Sequence, residues 1–257
     1  MKDEDRLSIE RLEGYWRDFV LSFPWTTNLD GAVVALYPKL PYYEPNHVAN
    51  INVDEDEAEG FLERVTKKFV LHDSPALWFR VSPVTRPESF TSLLEKKGFR
   101  RDFETSVMTF KRNRVHIPNG GVRINEISKN VIDDWKKTMC TIFGVPPEWK
   151  DGFDDYMGAY IRKGGRCYLA YINDEPVGTS SLLSLRGCGG IFSVGTLKQY
   201  RGRGIGTALT MRALTDSAEE GNTLHLLYAD KGEYAEHLYG KMGFDIDYTA
   251  TWFVKEL

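Results

Sequence analysis

Apolar and polar positions change period repeatedly along the chain. From Leu7 to Phe19 the apolar residues return at helical spacing, and Leu12, Tyr15, Trp16 and Phe19 share a face. AVVALY (32–37) and HVANINV (47–53) then read as strands, EAEGFLERVTKKF (57–69) as a helix and PALWFRVSP (75–83) as a strand. PESFTSLLEKKG (87–98) is patterned as a helix and RDFETSVMTFKR (101–112) as a closing strand. KRNRVHIPNGG (111–121) breaks the pattern, because Pro118, Asn119, Gly120 and Gly121 oppose helix and strand alike. This divides the chain into expected domains at 1–115 and 116–257.

The second half alternates more clearly. VRINEIS (122–128) reads as a strand, VIDDWKKTMCTIFG (131–144) as a helix with Val131, Trp135, Met139 and Ile142 on one face, and EWKDGFDDYMGAYIRKGG (148–165) as a second helix. RCYLAYIND, PVGTSSLLSL and GGIFSVGTL are three strands in succession. A glycine stretch then enters a helix that runs to Gly221. TLHLLYAD is a strand, EYAEHLYGKMG a short helix and FDIDYTATWFVKEL the final strand. The order β-α-α-β-β-β-α-β-α-β implies a mixed α/β sheet and not a sandwich. LLEKKGFRRDFETSVMTF (93–110) also parallels LYGKMGFDIDYTATWFVK (238–255), with Asp102 and Asp247 in register. A match at the end of each half points to two tandem, related domains.

Composition narrows the function classes. The formal charge of −4 gives no basic field for nucleic acid, so none is expected as a partner. No apolar run is long enough for a membrane helix, and the charged N-terminus is unlike a signal peptide. Cys140, Cys167 and Cys188 show no metal-ligand spacing and read as unpaired thiols in a reducing, cytoplasmic setting. No metal site is expected. Asp54-Glu55-Asp56-Glu57 is read as negative charge at a helix N-terminus and not as a cation site.

QYRGRGIGTAL (199–209) carries the chemistry. Gly202, Gly204 and Gly206 stand between a strand and a helix, flanked by Arg201 and Arg203. A helix N-terminus leaves N–H groups unpaired, and glycines let a ligand approach that backbone, so phosphate is the expected occupant. A Walker loop is excluded because no Gly-Lys-Ser/Thr follows. A dinucleotide fingerprint fails because position 207 is threonine and KQYR separates the glycines from the strand.

Arg201-Gly202-Arg203-Gly204-Ile205-Gly206 resembles motif A of the GNAT acetyltransferase superfamily, and EYAEHLYGKMGF resembles its motif B. The resemblance covers about residues 120–257. It implies an acyl-CoA N-acyltransferase fold, in two tandem GNAT-like domains, with acetyl-CoA (coenzyme A) as cofactor. It further implies that the pyrophosphate binds Arg201, Gly202, Arg203, Gly204, Ile205, Gly206 and Thr207, and that the pantetheine arm adds to the strand at Val194, Gly195 and Thr196. Tyr239 matches the family tyrosine that protonates the leaving sulfur, and Thr196 provides a nearby backbone N–H for the oxyanion. Gly232 stands where the family often has asparagine. No Glu or Asp lies on GGIFSVGTL, so Asp230 is the candidate base, with a water relay as the alternative. His237 is expected to face elsewhere and His225 to pack or face solvent. Asp151, Asp154 and Asp155 are read as a solvated helix face more readily than as an amine-attracting patch. Leu94 takes the place of Tyr239 in the repeat, and no glycine loop precedes it, so the first half is expected to be degenerate. The expected reaction is acetyl transfer to a primary amine of a small molecule or peptide in a ternary complex, by a monomer or homodimer. A coenzyme A-binding sensor without turnover is the alternative.

Overall fold

A computed structural model of the chain describes residues 3–111, 122–127 and 132–257. Most of the 111–121 linker, together with Ser128 and Val131, lies outside the described residues, and so does the expected division after residue 115. Two compact units are present. The first comprises Met1–Val107, Asp151–Ala159 and Asp247–Leu257, and the second Met108–Lys150 and Tyr160–Ile246.

The first unit is built from α1 (Asp3–Leu21), β1 (Thr26–Leu29), β2 (Ala32–Leu36), β3 (Asn46–Ala49), α2 (Ala58–Leu71), β4 (Ala76–Val81), α3 (Phe90–Lys96) and β5 (Arg100–Phe110). To these the chain adds most of its last strand, β11 (Phe244–Glu256); β5 after Val107 and β11 before Asp247 belong to the second unit. The strand order is β1-β2-β3-β4-β11-β5. β3 and β4 are parallel, while Thr251–Glu256 of β11 pairs antiparallel with Ala76–Val81 of β4. α2 buries Ala58, Phe61, Leu62, Val65 and Phe69, a stripe that seats it on Val48, Leu77 and Phe79 of the sheet. β1 was not anticipated from the sequence, since TTNL is short and polar; it pairs with β2 through a tight turn at Asp30 and Gly31.

An ion pair is sealed inside this unit. Arg80 Nη1 donates to Glu13 Oε1 at 2.6 Å, and their side chains are 0% and 4% exposed. The Tyr248 hydroxyl also donates to Glu13, Asn50 Nδ2 donates to Glu13 Oε2 at 3.1 Å, and the guanidinium lies 4.6 Å from the Trp16 ring. The carboxylate thus ties α1, β4, β11 and the end of β3 together. Asp155, on the Asp151–Ala159 segment, accepts from the Tyr37 hydroxyl at 2.5 Å and from Lys39 at 3.2 Å. It therefore has intramolecular partners.

The second unit contains β6 (Arg123–Glu126), α4 (Ile132–Phe143), β7 (Arg166–Ile172), β8 (Glu175–Leu185), β9 (Cys188–Thr196), α6 (Ile205–Glu219), β10 (Leu224–Asp230) and α7 (Tyr234–Met242). α5 (Lys150–Arg162) contributes to both units. The strand order is β10-β9-β8-β7-β6; β9 and β10 are parallel and the other neighbours antiparallel. The observed elements follow the expected order throughout this half. α6 is buried along Ile205, Leu209, Met211, Ala213 and Leu214, and Trp135 of α4 is anchored by an Nε1–H bond to Ser180 O at 3.1 Å. Arg166 bridges Glu126, Asp216 and Glu220 at 2.6–2.7 Å, which fixes α6 over β6 and β7. Its guanidinium is held charged by those three carboxylates. No disulfide joins Cys140, Cys167 or Cys188, and burial pushes the Cys167 thiol up to about 12. Among the described residues no helix is long and apolar enough to cross a membrane.

Replacing Arg80 with leucine leaves the buried Glu13 carboxylate without its cation. A loss of about 3–5 kcal/mol in urea unfolding is expected, against less than about 1 kcal/mol for Arg6→Ala at the exposed Arg6–Glu10 pair.

Candidate active site

β9 and β10 are in register from Cys188/Leu224 to Ile191/Leu227 and no further, although the strands continue to Thr196 and Asp230. Two parallel strands part at their carboxyl ends. The cause lies on the other side of β9. Pairing with β8 shifts between Thr179/Gly195 and Ser181/Phe192, so that Ser193 and Val194 lie opposite Ser180. Ser193 adopts φ +51°, and Thr179 Oγ1 donates to its carbonyl at 2.8 Å. This bulge turns the strand while keeping it attached to β8. In an antiparallel ladder alternate residues turn their backbone groups away from the partner. Once β10 has diverged, those of residues 192–196 face the opening.

Val194, Gly195 and Thr196 therefore stand where an extended arm can add as a strand. The space over Gly195 is closed from one side by α4: a Cβ at Gly195 would lie 2.4 Å from Ile142 Cγ2 and 3.2 Å from the Phe143 ring. Phe143 remains 50% exposed beside this point. Neither the left-handed serine nor this packing had a signal in the sequence, since GGIFSVGTL alternates like an uninterrupted strand.

The glycine loop closes one end of the opening. Gly202 and Gly204 have φ of +79° and +75°, a region that other residues enter only with strain, and Gly204 is the N-cap of α6. The helix makes its first recorded bond from Ala208 N–H to Gly204 O at 2.9 Å, which leaves Ile205, Gly206 and Thr207 N–H without helical acceptors. Open space surrounds the Cβ directions of Gly202 and Gly204, and at Gly206 only Thr196 Oγ1 comes as near as 3.9 Å. Arg201 Nε donates to Thr196 O at 3.2 Å, tying loop to strand, and the Arg203 guanidinium lies 5.3 Å from the Tyr200 ring. The Tyr200 hydroxyl is in turn held by Glu175 at 2.6 Å.

Unpaired N–H groups, the positive end of a helix and two arginines fit a pyrophosphate, and the parted strand fits an amide-bearing arm. The donor set thus suits coenzyme A.

Tyr239 sits on α7 against the core, 6% exposed, with its ring 5.9 Å from that of Phe244. Its hydroxyl meets Thr210, which itself donates to Gly206 O at 2.9 Å. The tyrosine is thus connected to the first turn of the loop's own helix. Burial pushes its phenol up to about 12, so it carries its proton at neutral pH. Asp230 ends β10 at the opening, where partial desolvation and then Glu233 raise its carboxyl above the ordinary range. Gly232 has φ +78°, and its N–H donates to Glu236 Oε2 at 2.9 Å, which starts α7. His225 is bonded to Ser217 at 2.8 Å and its pKa is lowered by burial, so it packs as expected. His237 Nδ1 is engaged by the Glu233 carbonyl at 2.9 Å.

Gly195→Val forces a branched side chain into Ile142 and Phe143. A loss of about 1–3 kcal/mol is expected by thermal unfolding, with retained stability in Gly240→Ala, a helical glycine where a Cβ meets nothing.

Residues 130–244 match the family model of the Acetyltransferase (GNAT) family. No curated protein matches the chain. Among solved structures, a GCN5-related N-acetyltransferase from Kribbella flavida is 18% identical with a TM-score of 0.73, over 99% of this chain and 96% of its own. One from Sphaerobacter thermophilus is 18% identical, TM-score 0.67, over 88% and 76%. A tandem GNAT protein from the clavulanic acid biosynthesis pathway is 12% identical, TM-score 0.66, over 91% and 84%. The parted strands, the glycine-led helix and the family match agree: over residues 130–244 this chain carries a GNAT-family acetyltransferase domain.

Proposed function

We propose that the second unit transfers an acetyl group from acetyl-CoA to a primary amine by direct attack in a ternary complex. The observation that carries this reading is the separation of β9 from β10 beside the open N–H groups of α6. Bound acetyl-CoA would supply an activated thioester carbonyl. Val194, Gly195 and Thr196 hold the arm, and residues 201–207 hold the pyrophosphate. A backbone N–H near Thr196 faces the carbonyl oxygen as it gains charge.

The neutral amine nitrogen forms the new C–N bond as the C–S bond breaks. Tyr239 gives its proton to the departing thiolate, a role suited to a phenol that is protonated at neutral pH. The amine loses a proton to Asp230 or to a water relayed by it. Its raised pKa makes this carboxyl a stronger base than an ordinary aspartate. Alignment of the two substrates supplies much of the rate.

Thiol release from acetyl-CoA over a panel of small amines and peptides with free amino groups tests the reading. Turnover with an acceptor is expected; binding of acetyl-CoA without release on any amine would favour the sensor alternative. Gly204→Glu puts a carboxylate at the pyrophosphate seat, and calorimetry should show loss of acetyl-CoA binding. Tyr239→Phe should keep acetyl-CoA affinity while lowering kcat by about 10²-fold; an unchanged kcat would remove the acid role.

A further inference from the structure

The first unit has a parallel pair of its own, β3 and β4, followed by helices in the same order as β9 and β10. The pair is in register at His47/Trp78 and Val48/Phe79 and then separates. Unlike its counterpart, it is bridged again. Arg86 N–H donates to Ile51 O at 2.9 Å, and Val53 N–H to Arg86 O at 3.3 Å. Backbone groups that an added arm would need are already bonded to each other. The segment leading into α2 is Asp54-Glu55-Asp56-Glu57, where α6 has glycines and arginines, so a phosphate there would meet like charge. Coenzyme A has no corresponding seat in this unit.

What remains is a cavity of about 480 Å³ between α1, the turn at Gly31 and the residues that follow β3 and β4. Ligands of open α/β sheets bind beyond the carboxyl ends of strands, which is where this cavity lies. Its wall includes Arg17 and Arg86. Arg86 donates only to the Pro83 and Thr85 carbonyls and has no carboxylate partner among the described residues. Arg17 is 3.5 Å from Asp18 and 44% exposed. Asn50, also on the wall, is held at φ +51° by Nδ2 bonds to Glu13 O and Oε2. Its Oδ1 is buried and accepts no hydrogen bond from the described residues, an arrangement that is costly until a donor arrives. Glu10 adds a carboxylate at the rim, where its Oε1 accepts from Arg6 Nε at 2.9 Å and its second oxygen can take a further donor.

Two guanidiniums that lack strong partners ask for an anion, and an orphaned acceptor beside a carboxylate asks for an N–H donor. We propose that this cavity binds a free amino acid, with its carboxylate on Arg17 and Arg86 and its ammonium on Asn50 Oδ1 and Glu10. The site is separate from the proposed acetyl-transfer site and does not depend on that reading.

Calorimetric titration of the full chain with each standard amino acid, with succinate and with inorganic phosphate tests it. At least one amino acid should bind, and more tightly than succinate or phosphate. Arg86→Met and Arg17→Met should each weaken that binding by about tenfold or more, with circular dichroism and the unfolding midpoint confirming the fold. Arg17 is largely exposed, so its variant remains informative should Arg86→Met unfold. Absence of binding by every amino acid, affinity unchanged in a folded variant, or equal binding of succinate or phosphate would overturn the proposal.

Discussion

The arrangement of the second unit depends on one departure from regular pairing, the bulge at Ser193. Up to Ile191 strand β9 is an ordinary interior strand, bonded to β8 and to β10. A single residue in the left-handed region turns the strand without detaching it from β8, and from there β9 and β10 separate. Three consequences follow from that turn. Backbone groups of residues 192–196 are released, Thr196 is carried to within reach of Arg201, and α6 starts at the mouth of the gap with its first N–H groups unoccupied. A continuous ladder would leave neither an edge to add to nor room for glycines to matter.

The first unit shows what the same strand–helix–strand plan does without that opening. There the residues beyond β3 and β4 bond to each other, and carboxylates stand before the helix. Besides its apolar core, this unit encloses the Arg80–Glu13 pair with the Trp16 ring above it. Burial of two charges is tolerated because the carboxylate accepts from Tyr248 and Asn50 as well as from the guanidinium. One consequence is a polar floor beneath the cavity, from which Asn50 Oδ1 is left over. Related chain plans can therefore support different ligand chemistry through the local fate of two strand ends.

Much of this was legible in the sequence because it is local. The period of apolar residues gave α2, α4 and α6 nearly to their ends, and glycines at 98 and 243 marked where α3 and α7 stop, both at positive φ. The glycines at 202, 204 and 206 were conspicuous because no helix interior or strand has a use for them. What escaped notice is non-local or conformational. The placement of Phe244–Glu256 beside β4 depends on pairing between residues far apart in the chain, which alternation within the strand cannot encode. Ser193 has no special chemistry for a left-handed backbone, and its conformation follows from the ladder around it. β1 is too short and too polar to show a pattern. Ile142 belonged to a helix face in the sequence, but its meeting with Gly195 required the third dimension.

Amide hydrogen exchange on the full chain, with and without acetyl-CoA, measures most directly whether the parted strand and the glycine loop hold the cofactor together. Protection is predicted at residues 194–196 and 202–207 in the same titration, with the amides of 51–57 in the first unit unchanged. Protection confined to the first unit, or none at the loop while acetyl-CoA is bound, would contradict the account.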